Sequence, residues 1–232
     1  MKTLKIALAA AVGSLALAGV AQAQDSSPTF AFNVGANTDY VFRGFSQSDE
    51  DPSIFGGVDA TLGMGYAGVW VSTVDFGNGT DAEFDLYAGV KPTVGPVSFD
   101  LGVIYYGYVD QPSNSNEDYW EGKIAASVPA GPATIGAAVY YSPEFFGKTG
   151  EAWYYEANAA IAIPDTKFSI SGAVGRQEIE KFPDYTTWNV GAGYAVSDKV
   201  SLDVRYWDTN LSDAVSGGLA DSRVVGGLKV VF

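Results

Sequence analysis

Glu83 and Asp85, in the stretch Ala82-Glu83-Phe84-Asp85-Leu86, are the pair of side chains in this sequence with the clearest capacity for acid–base chemistry. Two residues apart on an extended chain they point the same way, so one carboxyl group can hold a proton while the other accepts one. Little else offers reactivity. The sequence has no histidine and no cysteine, which removes a Ser-His-Asp triad, an Asp-His hydrolase and the usual imidazole or thiolate metal sites. Gly63-Met64-Gly65-Tyr66-Ala67-Gly68 satisfies G-x-G-x-x-G, but a strand follows it rather than a helix, so these glycines serve a hairpin turn and not a pyrophosphate. Asn78-Gly79-Thr80 and Asn210-Leu211-Ser212 match the glycosylation acceptor, a pattern common by chance. Asp49-Glu50-Asp51 lacks the glycine-containing spacing of a calcium loop. The carboxylate pair reads better as two polar groups lining an interior than as a catalytic dyad. No enzyme, cofactor or metal is implied.

Such an interior needs strands that sort their residues by parity, and the last ten residues show the pattern best. In Arg223-Val224-Val225-Gly226-Gly227-Leu228-Lys229-Val230-Val231-Phe232, one face takes Val224, Gly226, Leu228, Val230 and Phe232, and the other takes Arg223, Val225, Gly227, Lys229 and Val231. One face is apolar; the other carries both charges. A strand of about ten residues of this kind suits a membrane-spanning closed barrel. Comparable stretches lie at 29–43, 54–63, 66–75, 81–91, 96–107, 118–128, 133–142, 151–162, 167–177, 185–196, 199–208 and 223–232, twelve in all. The links between them alternate. Gly63 to Tyr66, Pro92 to Pro96, Pro129 to Pro132, Pro164 to Thr166 and Ser197-Asp198 are tight turns, whereas Gly44 to Ser53, Tyr108 to Glu117, Pro143 to Gly150, Glu178 to Asp184 and Thr209 to Ser222 are longer and polar, with Gly77 to Thr80 short among them. The predicted fold class is all-β: a membrane-spanning, antiparallel, up-and-down β-barrel of about 12 strands, with both termini at the short-turn, periplasmic rim.

The face in register with Phe232 offers Val34, Val58, Leu86, Leu101, Val103, Val139, Val190, Leu202 and Val204 at mid-strand. Aromatic residues gather at its ends: Phe30, Phe99, Phe168, Tyr194 and Phe232 at one rim, and Tyr40, Phe42, Phe84, Tyr105, Trp120, Tyr141, Trp153, Tyr155, Trp188 and Tyr206 at the other. Two aromatic girdles around an aliphatic band match the headgroup and hydrocarbon levels of a bilayer. A soluble sandwich has no reason to segregate aromatics to both strand ends. The opposite face holds Asn37, Asp39, Arg43, Asp59, Glu83, Asp85, Lys91 and Asp100, then Glu121, Lys123, Glu156, Asp203, Arg205, Arg223 and Lys229. These are the candidate pore-lining residues. A lipocalin-like barrel has the reverse sidedness. In strand 66–75, Val69 and Val71 oppose Trp70, Ser72 and Val74, so its register stays open.

Residues 1–23 read as a secretory signal peptide: Lys2 and Lys5 precede an apolar run over 6–20 that ends at Ala21-Gln22-Ala23. Residues 24–232 form the barrel. The formal net charge of −14 argues against a nucleic-acid partner. Much of the excess lies in the longer links, at Asp49, Glu50, Asp51, Asp110, Glu117, Asp118, Glu178, Glu180, Asp184, Asp208, Asp213 and Asp221. Either this is a mouth that enriches cations, or it is a solvated rim that keeps the loops soluble.

Asn37-Thr38-Asp39-Tyr40-Val41-Phe42-Arg43-Gly44-Phe45-Ser46-Gln47 resembles the N-terminal signature of the TorF family of porins, also called the Gcw_chp family of conserved hypothetical proteins. Trp70-Val71-Ser72-Thr73-Val74-Asp75-Phe76 is similar to that family's second strong segment. The resemblance implies a Gram-negative outer-membrane barrel. Asp39 and Arg43 stand at the motif's acidic and basic positions. Four residues apart on one strand they would lie about 13 Å from each other. Each is therefore expected to pair with a neighbouring strand, at Asp59 or at Arg223 and Lys229 across the closure.

Twelve strands fall between barrels filled by their own side chains and barrels that hold a channel. Inward Phe55, Tyr87, Tyr106, Tyr140, Tyr154 and Trp207 narrow the bore; glycines such as Gly35, Gly57, Gly89 and Gly102 widen it. The leading expectation is a passive, cation-favouring channel for ions or small polar solutes, in contact with outer-membrane lipid. The alternative is a non-conducting structural or adhesive barrel whose long loops bind a partner. A closed barrel has no edge to protect, and the lipid-facing band has no polar interruption, so a monomer is expected.

Overall fold

A computed structural model describes residues 27–232; the signal-peptide assignment lies outside them. Twelve antiparallel strands close into one barrel. In chain order they are β1 (Thr29–Asn37), β2 (Ser53–Leu62), β3 (Gly65–Thr73), β4 (Ala82–Val90), β5 (Val97–Val109), β6 (Tyr119–Ala130), β7 (Ala133–Ser142), β8 (Ala152–Ala162), β9 (Phe168–Ile179), β10 (Phe182–Ala195), β11 (Val200–Thr209) and β12 (Arg223–Val231). Each pairs with its sequence neighbours, and β1 closes on β12 with Val34 opposite Val230 and Ala36 opposite Leu228. The start of β1 and the end of β12 share the rim of the short turns.

Sidedness follows the parity argument. Val34 is 43% exposed and Leu202 40%, whereas inward Lys123 is 7% exposed and Arg205 4%. An outer band of this size, apolar on every strand, suits hydrocarbon rather than water. The aromatic ends pack among themselves on the outside: Tyr105 against Trp120, Tyr141 against Trp153 and Phe168 against Tyr194. The open register of β3 resolves here. Val69 and Val71 face out, while Trp70, Ser72 and Val74 face in.

Two expectations are corrected. The first strand ends at Asn37 rather than at residue 43. Beyond it the chain leaves the wall and forms a small inward hairpin, Val41–Phe42 paired with Phe45–Ser46 around an Arg43-Gly44 turn. Tyr40 and Phe42 therefore belong to the bore and not to the lipid-side girdle: Tyr40 is buried and Phe42 half-buried. The link 178–184 is likewise no loop, because β9 and β10 run on until Ile179 pairs with Phe182. Beyond the apolar band, charge on both faces of a strand costs little, and Arg176 and Asp184 meet on the outer surface there at 3.2 Å.

Candidate functional site: the constricted bore

The hairpin is placed by its base. Thr38 makes the last ladder-like contacts with β12, its amide donating to the Gly226 carbonyl at 2.9 Å and its hydroxyl accepting from the Gly226 amide at 3.0 Å. Asp39 then turns inward and accepts from the Ser46 hydroxyl (2.7 Å), the Ser48 hydroxyl (3.1 Å) and Arg223 Nη1 (2.8 Å). The Ser46 amide donates to the Leu219 carbonyl at 2.8 Å, and the Asp75 amide donates to the Gln47 carbonyl at 2.8 Å, so the base is tied on both sides. At the tip Arg43 has φ 48° and Gly44 φ 90°, the left-handed pair that a tight two-residue hairpin needs. A side chain at Gly44 would also strike Thr187 and Thr209.

From that base the hairpin reaches most of the wall. Tyr40 packs edge-on to Trp70 of β3 and donates to Glu83 of β4 at 2.7 Å. Phe42 meets Tyr106 of β5, and Phe45 meets Phe182 and Tyr185 of β10. Arg43 touches four strands. Its two Nη atoms donate to the two oxygens of Glu121 of β6 at 2.8 and 2.7 Å, and Nη1 also donates to Gln177 Oε1 of β9 at 3.1 Å. The guanidinium lies 4.9 Å from the ring centre of Tyr140 of β7, 4.2 Å from that of Tyr154 of β8 and 4.7 Å from that of Phe42. A segment that leaves β1 and contacts strands from β3 to β10 must lie across the bore.

Three carboxyl groups surround this constriction. Glu83 and Glu121 are each 2% exposed, and Asp85 sits one inward position below Glu83, with a buried Oδ1 that has no hydrogen-bond partner. Burial and the adjacent Glu83 hold the Tyr40 hydroxyl well above its ordinary value, so it keeps its proton and donates. Burial alone would weaken the Arg43 charge; Glu121 more than offsets this and keeps the guanidinium ionised. Around these groups Tyr40, Val74, Tyr106, Tyr108 and Tyr119 form a buried, largely aromatic cluster inside the barrel.

Toward the short-turn rim the bore changes character. Lys123 donates to Asp100 at 2.8 Å, and Tyr66 donates to the same carboxylate at 2.6 Å. Lys91 lies 4.3 Å from the centre of the Tyr66 ring, and Tyr87 donates to Asp59 at 2.6 Å. Lys229 lies on β12 opposite Gly35 of β1 and Ser201 of β11. On the opposite wall Arg205 spans Asp203, Asn189 and Ser171. Glu156 accepts from Tyr154 and Asn158.

The charged residues singled out in the sequence fall into separate groups rather than one ladder: Arg43 with Glu121, Asp39 with Arg223, Lys123 with Asp100, and Arg205 with Asp203. Asp39 does meet Arg223, as expected across the closure. Arg43 does not meet Asp59, Arg223 or Lys229; its partner is Glu121, because it rides on the hairpin tip and not on β1. Glu117 is not part of an acidic mouth: it is 1% exposed and clasps Asn78 and Thr80 at 2.8 and 2.7 Å. Sequence reasoning missed Gln177 and Tyr66 and left the facing of Trp70 open. Gln177 is 1% exposed and its inward parity was readable, but an uncharged amide stood out less than the acids and bases.

Solved structures share this fold. The "KdgM porin" superimposes with a TM-score of 0.61 at 10% identity, over 87% of this chain and 99% of that one. The "NanC porin" gives 0.58 at 9% identity, over 88% and 99%. The COG4313 outer membrane channel from Pseudomonas putida F1 gives 0.52 at 11% identity, over 92% and 97%. At these identities the likeness is one of fold. No curated protein matches the chain. A family model described as "Bacterial protein of unknown function (Gcw_chp)" matches residues 21–232, and the chain, a closed twelve-stranded barrel with a hairpin folded into its bore, belongs to that family.

Proposed function

We propose that this barrel is an outer-membrane channel for passive diffusion of ions or small polar solutes, with cations favoured. The observation that carries the reading is the constriction inside the bore, where three carboxyl groups, Glu83, Asp85 and Glu121, lie beside one guanidinium, Arg43, which pairs with Glu121. The fold shared with porins and the TorF-like motif support it. In this reading the fifteen residues singled out in the sequence line the pore, the short turns and both termini face the periplasm, residues 1–23 direct export, and the barrel works as a monomer. One of the similar structures is titled as a complex with disordered oligogalacturonate. That ligand is a polyanion, and the acidic constriction here disfavours such a solute.

Planar-bilayer recording of the refolded protein tests the proposal. Defined conductance steps are expected, with a reversal potential displaced toward that of the cation and a displacement that shrinks as salt rises. Silence at every voltage would remove the channel reading. It would favour a non-conducting barrel that binds a partner through its loops, a reading supported by the hairpin itself, which fills much of the bore.

A further inference from the structure

We propose that the bore contains a guanidinium-binding site, now occupied by the chain's own Arg43, whose external ligands are guanidinium and arginine-class organic cations. The inference deepens the channel reading by naming a solute class, although binding at the site does not itself require conduction.

The cage belongs to the wall. Glu121, Gln177, Tyr140 and Tyr154 come from four different strands, and the hairpin adds only Phe42. Its geometry is specific for a planar fork. Both oxygens of Glu121 accept from separate Nη atoms at 2.8 and 2.7 Å, a parallel arrangement that an ammonium group cannot reproduce. Gln177 is held in a matching orientation, because its Nε2 donates to the Trp153 carbonyl at 3.2 Å and so leaves Oε1 directed at the guanidinium. Ring faces at 4.2 and 4.9 Å supply the attraction that aromatic cages offer to weakly hydrated cations.

The occupant, by contrast, is tethered rather than built into the wall. Arg43 stands on a two-residue turn of left-handed backbone, delivered by a hairpin whose strands are two residues each. If the side chain leaves, Glu121 stays buried without its counter-ion, still accepting from the Tyr106 hydroxyl at 3.2 Å. An uncompensated buried carboxylate is costly, and it is relieved either by a proton or by a cation that fits; this cage fits guanidinium. A tethered group competes at an effective concentration on the order of millimolar, so external ligand fills the site readily only when Arg43 is absent or withdrawn.

The test uses the full chain carrying Arg43→Ala, refolded in detergent, with thermal unfolding followed in about 10 mM guanidinium chloride, a concentration comparable to that of the tethered group. The midpoint should rise by about 2–4 °C with guanidinium. It should not rise with an equal concentration of methylammonium chloride, nor in the wild type, nor in Arg43→Ala/Glu121→Gln. An equal response to both salts, or a response that survives loss of Glu121, would overturn the proposal, as would no response in a folded Arg43→Ala barrel. Should alanine prevent refolding, Arg43→Lys keeps the charge and loses the fork. It should unfold below the wild type and be raised by guanidinium; wild-type stability with no response defeats the assignment. Because none of these readouts needs current, a silent bilayer would refute the channel and leave the site standing.

Discussion

Replacing Glu121 by glutamine removes the counter-ion of Arg43 while keeping size and polarity, and its cost measures how firmly the hairpin is held in the bore. The two side chains of this pair are 6% and 2% exposed at 2.7 Å separation. Removing one partner of such a buried pair costs about 3–5 kcal/mol, because the remaining charge stays desolvated. Part of this is recovered. The glutamine oxygen still accepts one neutral hydrogen bond, worth about 1 kcal/mol, and the Tyr140 and Tyr154 faces continue to hold the cation. The net expectation is a loss of about 2–4 kcal/mol. The internal control is Asp184→Asn, which breaks the Arg176 pair at 3.2 Å with side chains 42% and 46% exposed. There the expected loss is about 0–1 kcal/mol. Urea unfolding of barrels refolded into vesicles, read by tryptophan fluorescence, provides both numbers, and Arg43→Met/Glu121→Met should restore much of the stability by removing both charges together. Conductance should rise in Glu121→Gln as the hairpin loosens. A cost below about 1 kcal/mol with unchanged conductance refutes the placement of Arg43 against Glu121.

Asp39→Asn cuts the link from the hairpin base to Arg223, at 2.8 Å. It should cost about 1–3 kcal/mol in the same urea assay and produce noisier, larger currents. Leu202→Arg places a charge on the lipid-facing band and should cost about 2–4 kcal/mol, whereas Val94→Arg at the short-turn rim should cost about 0–1 kcal/mol; the folded fraction on unheated gels measures both. Gly35→Ala puts a methyl group against the Leu228 carbonyl oxygen and the Phe55 ring. The expected loss is about 1–3 kcal/mol, and Phe55→Ala should not rescue it, because the backbone oxygen cannot move aside.

The wall was legible because lipid enforces parity on every strand at once. Val34, Leu101 and Leu202 are outside for the same reason that Asp100, Lys123 and Arg205 are inside. The hairpin was hidden by the same rule. Tyr40 and Phe42 continue the alternation of β1, so the pattern runs through the point where the chain leaves the wall. The available signal was local: Gly44 after Arg43, flanked by apolar residues on both sides, is a turn pattern in its own right. The ambiguity at Trp70 and Val74 has a matching cause. Behind the hairpin the interior is a buried aromatic cluster, and the polar-inside expectation fails at that place. The partner of Arg43 lay beyond reach, since which residue it meets depends on how far the hairpin reaches across the bore, not on strand order.

The arrangement of charge along the bore has an electrical consequence. At the loop-side constriction Glu83, Asp85 and Glu121 outnumber Arg43, while Asp39 is matched by Arg223. Toward the short-turn rim the charges balance, with Lys91, Lys123, Lys229 and Arg205 against Asp59, Asp100, Asp203 and Glu156. A cation entering from the loops is concentrated at once and then crosses a balanced stretch; one entering from the other side crosses the balanced stretch first. An asymmetric charge profile of this kind rectifies current. Screening should erase the effect, because the Debye length falls from about 8 Å at physiological salt to about 3 Å at 1 M. The current–voltage curve should therefore be asymmetric at low salt and nearly symmetric at 1 M, and Lys229→Met should reduce the asymmetry at low salt by removing one of the exit charges. A symmetric curve at low salt, recorded from barrels inserted in one orientation, would mean that these charges do not shape the ion path and that conduction, if present, bypasses the groups around Arg43.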